Sequence, residues 1–330
     1  MLSWFTLGTL LAAGAQSGEM VEINSGRLLL YSRCESPDRA AEMRKLSASK
    51  LRDHLAGGFH DTPGGPKRLS TNALALLATL QEHRRAPDLF LRQTILDTAA
   101  WGLKDLKDGE GAFFSGIGKS DDATKAYFFF DESEVRSALG RERGDEFFKH
   151  FDLRPDGFLR LIGSPFAGLG STRETLLLRR NRRVRLFLDE RVDGTANGLW
   201  FAALTEVAGS LKRKDELLAA ERGARQFLSR PPEGDSGLAL GFASLATSTQ
   251  EDVWIRAAVK ELDATLARRD ARTSLDSALL VMALHEARSL DATGLRARQE
   301  SQVLKDLSER FPDSNELAAA RCAATKMTAN

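Results

Sequence analysis

Apolar residues recur at intervals of three and four along most of this chain, a pattern typical of amphipathic helices. The first such helix is predicted over 39–56, following Ser36-Pro37-Asp38, where proline suits the first helical turn. Two more are predicted over 70–83 and 87–106. Beyond residue 170 nearly the whole chain is predicted to be helical, in blocks at 172–187, 198–212, 214–229, 237–248, 251–268, 273–289, 292–310 and 313–325. Because the breaks between these blocks are short, we expect antiparallel helical hairpins.

Three stretches of the N-terminal half do not follow the helical period. Residues 21–31 are predicted to form a short strand pair around Asn24-Ser25-Gly26. Residues 112–115 and 126–130 are rich in aromatic side chains and are predicted to be two strands of one small β-hairpin. Residues 156–170 are rich in glycine and proline and predict a loop.

The first twenty residues differ in composition from the rest of the chain. Residues 2–15 are apolar, uncharged and end in Ala13-Gly14-Ala15, as the apolar region of a signal peptide does. A buried N-terminal helix or a misassigned start are the alternatives. The segment therefore predicts export or a lipid-facing anchor, and a cytoplasmic protein if either alternative holds. At this length it is too short to cross a bilayer comfortably.

The net charge and the spacing of the cysteines and histidines argue against a nucleic-acid partner and a metal ion. The formal net charge is +1, which predicts no nucleic-acid partner. The arginine-rich run at 179–185 is expected to be a solvated or carboxylate-paired helix face. The two cysteines, Cys34 and Cys322, form no CxxC and are predicted to be unpaired thiols. The five histidines show no zinc-binding spacing, so neither a metal nor a cofactor is predicted.

Three motifs in one order resemble those of a known family. The first is D-H-L-A-G-G-F-H at 53–60, the second joins 109–115 to 125–135, and the third runs from Arg182 through Asp189-Glu190 to Asn197-Gly198-Leu199. They are similar to signatures of the thioredoxin-domain proteins related to spermatogenesis-associated protein 20, over roughly residues 38–310. The resemblance implies an all-α fold, an (α/α)6 toroid like that of six-hairpin glycosidases and N-acylglucosamine 2-epimerases.

The chain also departs from that family. No thioredoxin-like domain precedes residue 39, and residues 66–72 and 116–119 replace stretches that carry acidic and histidine side chains in the family. The departures predict a degenerate, non-catalytic toroid that binds a carbohydrate-like ligand or a partner in its central funnel. One alternative is an active carbohydrate enzyme of epimerase or glycosidase type. The other is a helical scaffold for a separately encoded thioredoxin-like protein.

The resemblance and the residue chemistry together select a set of candidate site residues. Candidates for acid–base chemistry are Asp53, His54, His60 and Asp189, because a carboxylate beside a histidine can set its tautomer and raise its basicity. Candidates for ligand binding are Gly57, Gly58, Asn197 and Trp200. The structural alternatives are a glycine-terminated helix at 53–58, a helix cap at Asn197 and a core position for Trp200. We expect Asp53, His60 and Asn197 to approach one cavity.

The predicted domain organisation is a hydrophobic segment at 1–20, a toroid at 36–312 and a C-terminal helix or tail at 313–330. A full toroid needs twelve helices, and 21–31 does not read as one. The ring is therefore expected to lack part of its first hairpin. An uncovered apolar flank would then lead the helix at 39–56 or the one at 295–311 to dock on a second chain or on the N-terminal segment.

Overall fold

A computed structural model of the chain describes residues 22–34, 37–164, 168–268, 272–291 and 293–325. Within them the α-helices are α1 (Ser25–Arg33), α2 (Pro37–Ala48), α3 (Leu69–Arg85), α4 (Leu89–Asp105), α5 (Asp122–Phe128), α6 (Glu132–Phe148), α7 (Gly170–Arg180), α8 (Gly194–Leu211), α9 (Lys214–Leu228), α10 (Ser236–Thr249), α11 (Asp252–Ala267), α12 (Ser274–Ala287), α13 (Leu295–Arg310) and α14 (Asn315–Thr325). Short strands are β1 (Lys67–Arg68), β2 (Gly116–Ile117), β3 (Phe151–Asp152), β4 (Arg160–Leu161) and β5 (Leu188–Asp189). The predicted signal segment lies outside the described residues.

Six helices form a closed inner ring. Around it α1 packs on α3, α3 on α8, α8 on α10, α10 on α12, α12 on α14, and α14 returns to α1. Outside the ring, α4, α9, α11 and α13 each cover the inner helix that precedes them, and α2 packs against α3 and α4. An inner helix has neighbours on three sides, so α8, α10 and α12 are apolar almost all round. The predicted all-α toroid is confirmed.

The predicted strand pair at 21–31 is wrong, because this stretch is the inner helix α1. The Asn24 side chain accepts a hydrogen bond from the Arg27 backbone N–H and caps the helix. Three consecutive leucines, 28–30, hide the helical period because all of them are buried. The inner ring therefore does not lack its first helix. Among the described residues, it is α14 that has no outer helix following it in the chain.

The helix predicted over 39–56 is also too long, since α2 ends at Ala48. The Ser49 hydroxyl donates to the Leu46 carbonyl and accepts from the Leu51 N–H, which replaces helical bonding with a turn. Residues 49–58 continue as tight turns that end in a bridge between Arg52 and Phe59.

The predicted hairpin of 112–115 and 126–130 is wrong as well. Residues 122–128 form α5, whose start is capped by the Asp121 side chain. The strand nearest 112–115 is β2, which pairs antiparallel with β1 and β5 in a three-stranded sheet. The small hairpin-like pair that does exist is β3–β4. The aromatic side chains at 127–130 predicted a strand because aromatic residues are enriched in strands. In the structure Tyr127 and Phe128 instead form the end of the helix that Asp121 caps.

The segment between α4 and α8 carries α5, α6 and α7 and builds a second apolar cluster against the loop at 49–58. This cluster consists of Leu55, Phe130, Val135, Leu139, Phe147, Phe151, Leu153, Leu159 and Leu176. The arginine-rich run begins in α7, and its expected pairing with carboxylates is confirmed: Arg180 pairs with Asp53, and Arg183 with Glu134. The run is not one helix face, however, because Arg180 is buried and Arg183 follows the end of α7.

Cys34 and Cys322 form a disulfide, which corrects the prediction of two unpaired thiols. They are separated by 288 positions in sequence, but their Cα atoms are 5.1 Å apart. The two cysteines are close in space because α14 packs on α1 and completes the inner ring of helices. None of the described helices combines the length and apolarity that a bilayer crossing requires.

Candidate functional site

Asp53, the leading acid–base candidate, is buried in a network of cations. Its carboxylate is bidentate to Arg180, with both N–O distances 2.9 Å, and lies 3.0 Å from the Lys67 ammonium. The backbone N–H groups of Leu55 and Ala56 also donate to it. Burial alone would raise the pKa of Asp53, but the charges of Arg180 and Lys67 outweigh it and hold the pKa well below the usual range. The group is a fixed anion with its acceptor sites filled.

The two candidate histidines are buried and neutral. A ring nitrogen of His54 (Nε2) lies 2.9 Å from the Ser49 carbonyl oxygen, and His60 Nδ1 lies 2.8 Å from that of Gly65. Each of these nitrogens therefore carries the proton and donates it. Burial lowers the pKa of His54 to about 3 and that of His60 to about 4. His60 also packs edge-on against Phe128. Both side chains hold the loop in place.

The space beside Gly57 and Gly58 is filled by residues of α4 and is not open to a ligand. Both have positive φ, +84° and +76°. A Cβ on Gly57 would lie 2.3 Å from the Asp97 carbonyl oxygen, and one on Gly58 would lie 2.8 Å from the Trp101 ring. The glycines therefore allow the loop to lie directly on α4, and the expected ligand approach is not supported.

Asn197 is buried, and its side-chain amide holds two backbone segments together by hydrogen bonds, an arrangement called here an asparagine clamp. Its Oδ1 accepts from the Phe113 N–H, and its Nδ2 donates to the carbonyls of Phe113 and Asp193, all at 2.9 Å. Trp200 is completely buried and packs on Gly102 and Phe113. Neither side chain has a surface to offer a sugar, so these positions do not support the predicted ligand-binding roles.

A second asparagine repeats this clamp at the start of another inner helix. The Asn72 Oδ1 accepts from the Phe59 N–H at 2.6 Å, and its Nδ2 donates to the carbonyls of Phe59 and Arg68. The sequences S-T-N-A-L at α3 and T-A-N-G-L at α8 show the same device. Both fix the chain that enters an inner helix, so a structural role accounts for the motif residues around them.

Asp189 lies apart from Asp53. It is on β5, salt-bridged to Arg191 at 2.6 Å, and a hydrogen bond from Arg191 lowers its pKa. It lines a polar cleft of about 750 Å³ together with Arg68. Lys67 and Arg68 are adjacent on β1, and neighbouring strand residues face opposite sides of a sheet. Lys67 contacts Asp53 on the buried side, so Asp53 and Asp189 do not converge on one substrate position.

The cavity on the ring axis is a site that sequence reasoning missed. It lies at the C-terminal ends of the inner helices and has a volume of about 390 Å³. Every inner helix contributes to its lining: Arg33 from α1, Arg84 from α3, Glu206 from α8, Ser244 from α10, Glu286 from α12 and Ala323 from α14. Polar residues near the ends of otherwise apolar helices are the sequence signal, but only the ring shows that they meet.

Charges in the axial cavity balance one another. A guanidinium nitrogen of Arg33 lies 3.6 Å from Glu206 and another lies 3.7 Å from Glu286. Arg84 bonds Glu206 at 2.5 Å. Burial raises the pKa of Glu286, while the charge of Arg33 opposes the rise. Two cations and two carboxylates thus share a partly buried space.

Several buried polar atoms of this cavity have no hydrogen-bond partner among the described residues. They are the hydroxyls of Thr205 and Ser244 and the Nε and Nη2 atoms of Arg33. Most buried polar groups in proteins are hydrogen-bonded to protein or to ordered water, so these atoms can accept a partner from outside the chain. Nε and Nη2 share one edge of the guanidinium, the edge that binds two oxygens side by side.

Among solved structures the chain is similar to cellobiose 2-epimerase from Spirochaeta thermophila DSM 6192, at 11% identity and a TM-score of 0.38. The match covers 87% of this chain and 96% of the epimerase chain. No model of a known protein family matches the chain, and no curated protein does. The fold assignment rests on the closed helical ring itself, and membership of the thioredoxin-domain family stays a prediction.

Proposed function

We propose that this chain binds a neutral, hydroxyl-rich small molecule of carbohydrate type in the axial cavity, without converting it. The observation that carries the proposal is the edge of Arg33 that makes no hydrogen bond to any described residue, although its Nη2 lies within ion-pair distance of Glu206. A vicinal diol accepts two hydrogen bonds from the guanidinium edge and donates its own protons to Glu206 and Glu286. An anion would be repelled by those carboxylates, and a cation by Arg33 and Arg84. The unpartnered hydroxyls of Thr205 and Ser244 suit further ligand hydroxyl groups.

The proposed absence of turnover rests on the predicted acid–base groups, none of which lines the axial cavity. Asp53 is held as an anion by two cations, and His54 and His60 are buried with low pKa values. General acid–base chemistry needs a titratable group near the working pH and within reach of substrate. The Cys34–Cys322 disulfide supports an oxidising compartment, in line with the predicted export segment. The scaffold role for a thioredoxin-like protein stays a prediction.

Isothermal titration with mono- and disaccharides selected from a glycan array tests the proposal. We expect Thr205→Val to weaken binding by about tenfold, since it removes one hydrogen bond to the ligand. Thr98→Val is the matched control, because the Thr98 hydroxyl is buried but bonded within α4. Equal affinities for both variants, or binding to no carbohydrate, would refute the site. Conversion of a bound sugar would instead show that the protein is an enzyme.

A further inference from the structure

A separate pocket lies between the toroid and the segment that precedes α8, and the proposed carbohydrate site does not include it. Its volume is about 350 Å³. Arg52 and Gln93 from the toroid line one side, and Arg173 and the first residues of α7 line another. Phe90 and Phe151 complete the wall. The polar groups around this pocket are mainly hydrogen-bond donors.

Arg52 is a buried cation with a free donor. Its side chain is only 4% exposed, and one of its terminal nitrogens bonds Asp97 at 2.7 Å. Its Nε has no hydrogen-bond partner among the described residues. Burial lowers the pKa of Arg52 to about 10, so it stays charged at neutral pH. A buried, charged donor without an acceptor is costly unless a ligand supplies the acceptor.

Asp97 forms salt bridges with two guanidinium groups, those of Arg52 and Arg173. It lies 3.4 Å from an Arg173 nitrogen, while the Arg173 Nε donates to the His54 carbonyl at 2.6 Å. Gln93 occupies the other Asp97 oxygen with its amide N–H. His54 is neutral, because burial lowers its pKa to about 3. Two cations and one anion leave an excess positive charge beside the pocket.

The N-terminus of α7 adds backbone donors to this charge. The helix has eleven residues and begins at Gly170, and its N-cap residue, Leu169, has no side-chain group that could accept a hydrogen bond. The first-turn N–H groups of a helix have no partner within the helix. They carry the positive end of its dipole and bind anions well. Gly168, Leu169 and Gly170 all line the pocket.

We propose that this pocket binds a phosphate group, either free or as the monoester of a small molecule. Arg52 lies on one side of the pocket, and Arg173 and the start of α7 lie on another, so donors from both sides can bond several oxygens of a tetrahedral dianion. The shape of a guanidinium matches phosphate oxygens, and the charge excess favours an anion. Binding here would also tie α7 to the toroid, since all three donors would contact one ligand.

Isothermal titration with inorganic phosphate, at constant ionic strength, tests the assignment. We expect Arg173→Gln to weaken phosphate binding by about tenfold or more, as loss of a charged hydrogen bond does. Arg179→Gln, on the same helix but paired with Glu134, is the control and should bind like the wild type. Equal loss in both variants, or wild-type affinity in Arg173→Gln, would overturn the proposal.

A second variant guards against a folding defect in the first. Ser171→Asp places a carboxylate on the exposed first turn of α7, where it suits the helix dipole but repels phosphate. We expect an unchanged melting temperature with weaker phosphate binding, and unchanged binding would contradict the site.

Titration of the wild type with glycerol phosphate and with acetate identifies the chemical class of the ligand. Tighter binding of the ester identifies a phosphate monoester as ligand, equal binding identifies free phosphate, and acetate that binds as tightly as phosphate would overturn the phosphate assignment.

Discussion

The two buried histidines should make the fold acid-sensitive well above the pH at which carboxylates titrate. His54 and His60 have folded-state pKa values of about 3 and about 4, against an ordinary value of 6.5. Both values are depressed, so the unfolded chain binds protons more readily than the folded chain. The stability that the neutral rings contribute is complete above pH 6.5. It is lost as the pH falls from 6.5 towards the folded values.

The size of the effect follows from the same shifts. One unit of difference in pKa between the folded and unfolded states corresponds to about 1.4 kcal/mol. At pH 5 the pH lies 1.5 units below the unfolded pKa of 6.5, so each histidine lowers the free energy of unfolding by about 2 kcal/mol relative to pH 7. Together they should lower the free energy of unfolding by about 4 kcal/mol, a large part of the stability of an ordinary domain. At pH 5 unfolding should take up close to two protons.

Urea denaturation at pH 7, 6 and 5 measures this dependence directly. His54→Gln and His60→Gln will each lower stability at pH 7, but the informative quantity is the slope of unfolding free energy against pH. Each variant should lose about half of the part of this slope that the two histidines contribute between pH 6 and pH 5, because one of them is gone.

Two partly buried carboxyl groups with raised pKa values act in the opposite sense and contribute to the pH dependence that all variants share. Burial raises the pKa of Asp105 and of Asp235, so acidification favours the folded state through them. Because the variants share this background with the wild type, the difference in slope isolates the histidines. Variants with the wild-type slope, or a wild-type stability that does not change from pH 7 to pH 5, would refute the reasoning.

Three further predictions concern stability. Asp53→Asn should cost about 3–5 kcal/mol in urea denaturation, because it leaves Arg180 and Lys67 buried without their counter-ion; a loss below 1 kcal/mol would contradict the buried network. Gly58→Ala should cost at least about 2 kcal/mol, since φ is +76° and the new methyl meets Trp101, and a neutral effect would be inconsistent with this packing. Cys34→Ser should cost about 5 kcal/mol, because the disulfide closes a loop of 288 positions in the unfolded chain; wild type in reductant should match it, and unequal losses would show another cause.

The helical periods that the sequence displays were reliable beyond residue 194, whereas the block predicted over 172–187 was too long, because α7 ends at Arg180. The block predicted over 198–212 is Gly194–Leu211, and that predicted over 214–229 is Lys214–Leu228. Here an amphipathic outer helix alternates with an apolar inner one, and short polar breaks separate them. The ring order follows because consecutive helices pack together.

In α1 the prediction failed because consecutive buried residues hide the helical period. The leucines at 28–30 show no period, so the inner helix α1 was missed and the ring was expected to be incomplete. The aromatic run at 127–130 suggested a strand for a different reason, because aromatic residues are enriched in strands, although Phe129 is exposed here. In both places a capping side chain, Asn24 or Asp121, was the local signal that decides for helix.

Site prediction failed for a different reason, since the relevant contacts join residues far apart in sequence. Asp53 looked like a catalytic carboxylate because its partner Arg180 lies 127 positions away in a run that resembles a surface. Arg33 and Glu286 meet on the ring axis only because α1 and α12 belong to one closed ring. The motif order indicated the fold correctly, but it did not show which end of the ring holds the polar cavity.

The disulfide has a consequence for how the molecule survives damage. Because Cys34 and Cys322 are joined, everything between them is a covalent circle. A protease that cuts this circle once, for example at the exposed Pro231-Pro232-Glu233 connection between α9 and α10, opens it without releasing a fragment. The nicked protein keeps its mass on a gel without reductant and separates into two pieces only when the bond is reduced. The same bond that closes the ring thus makes it tolerant of a single break.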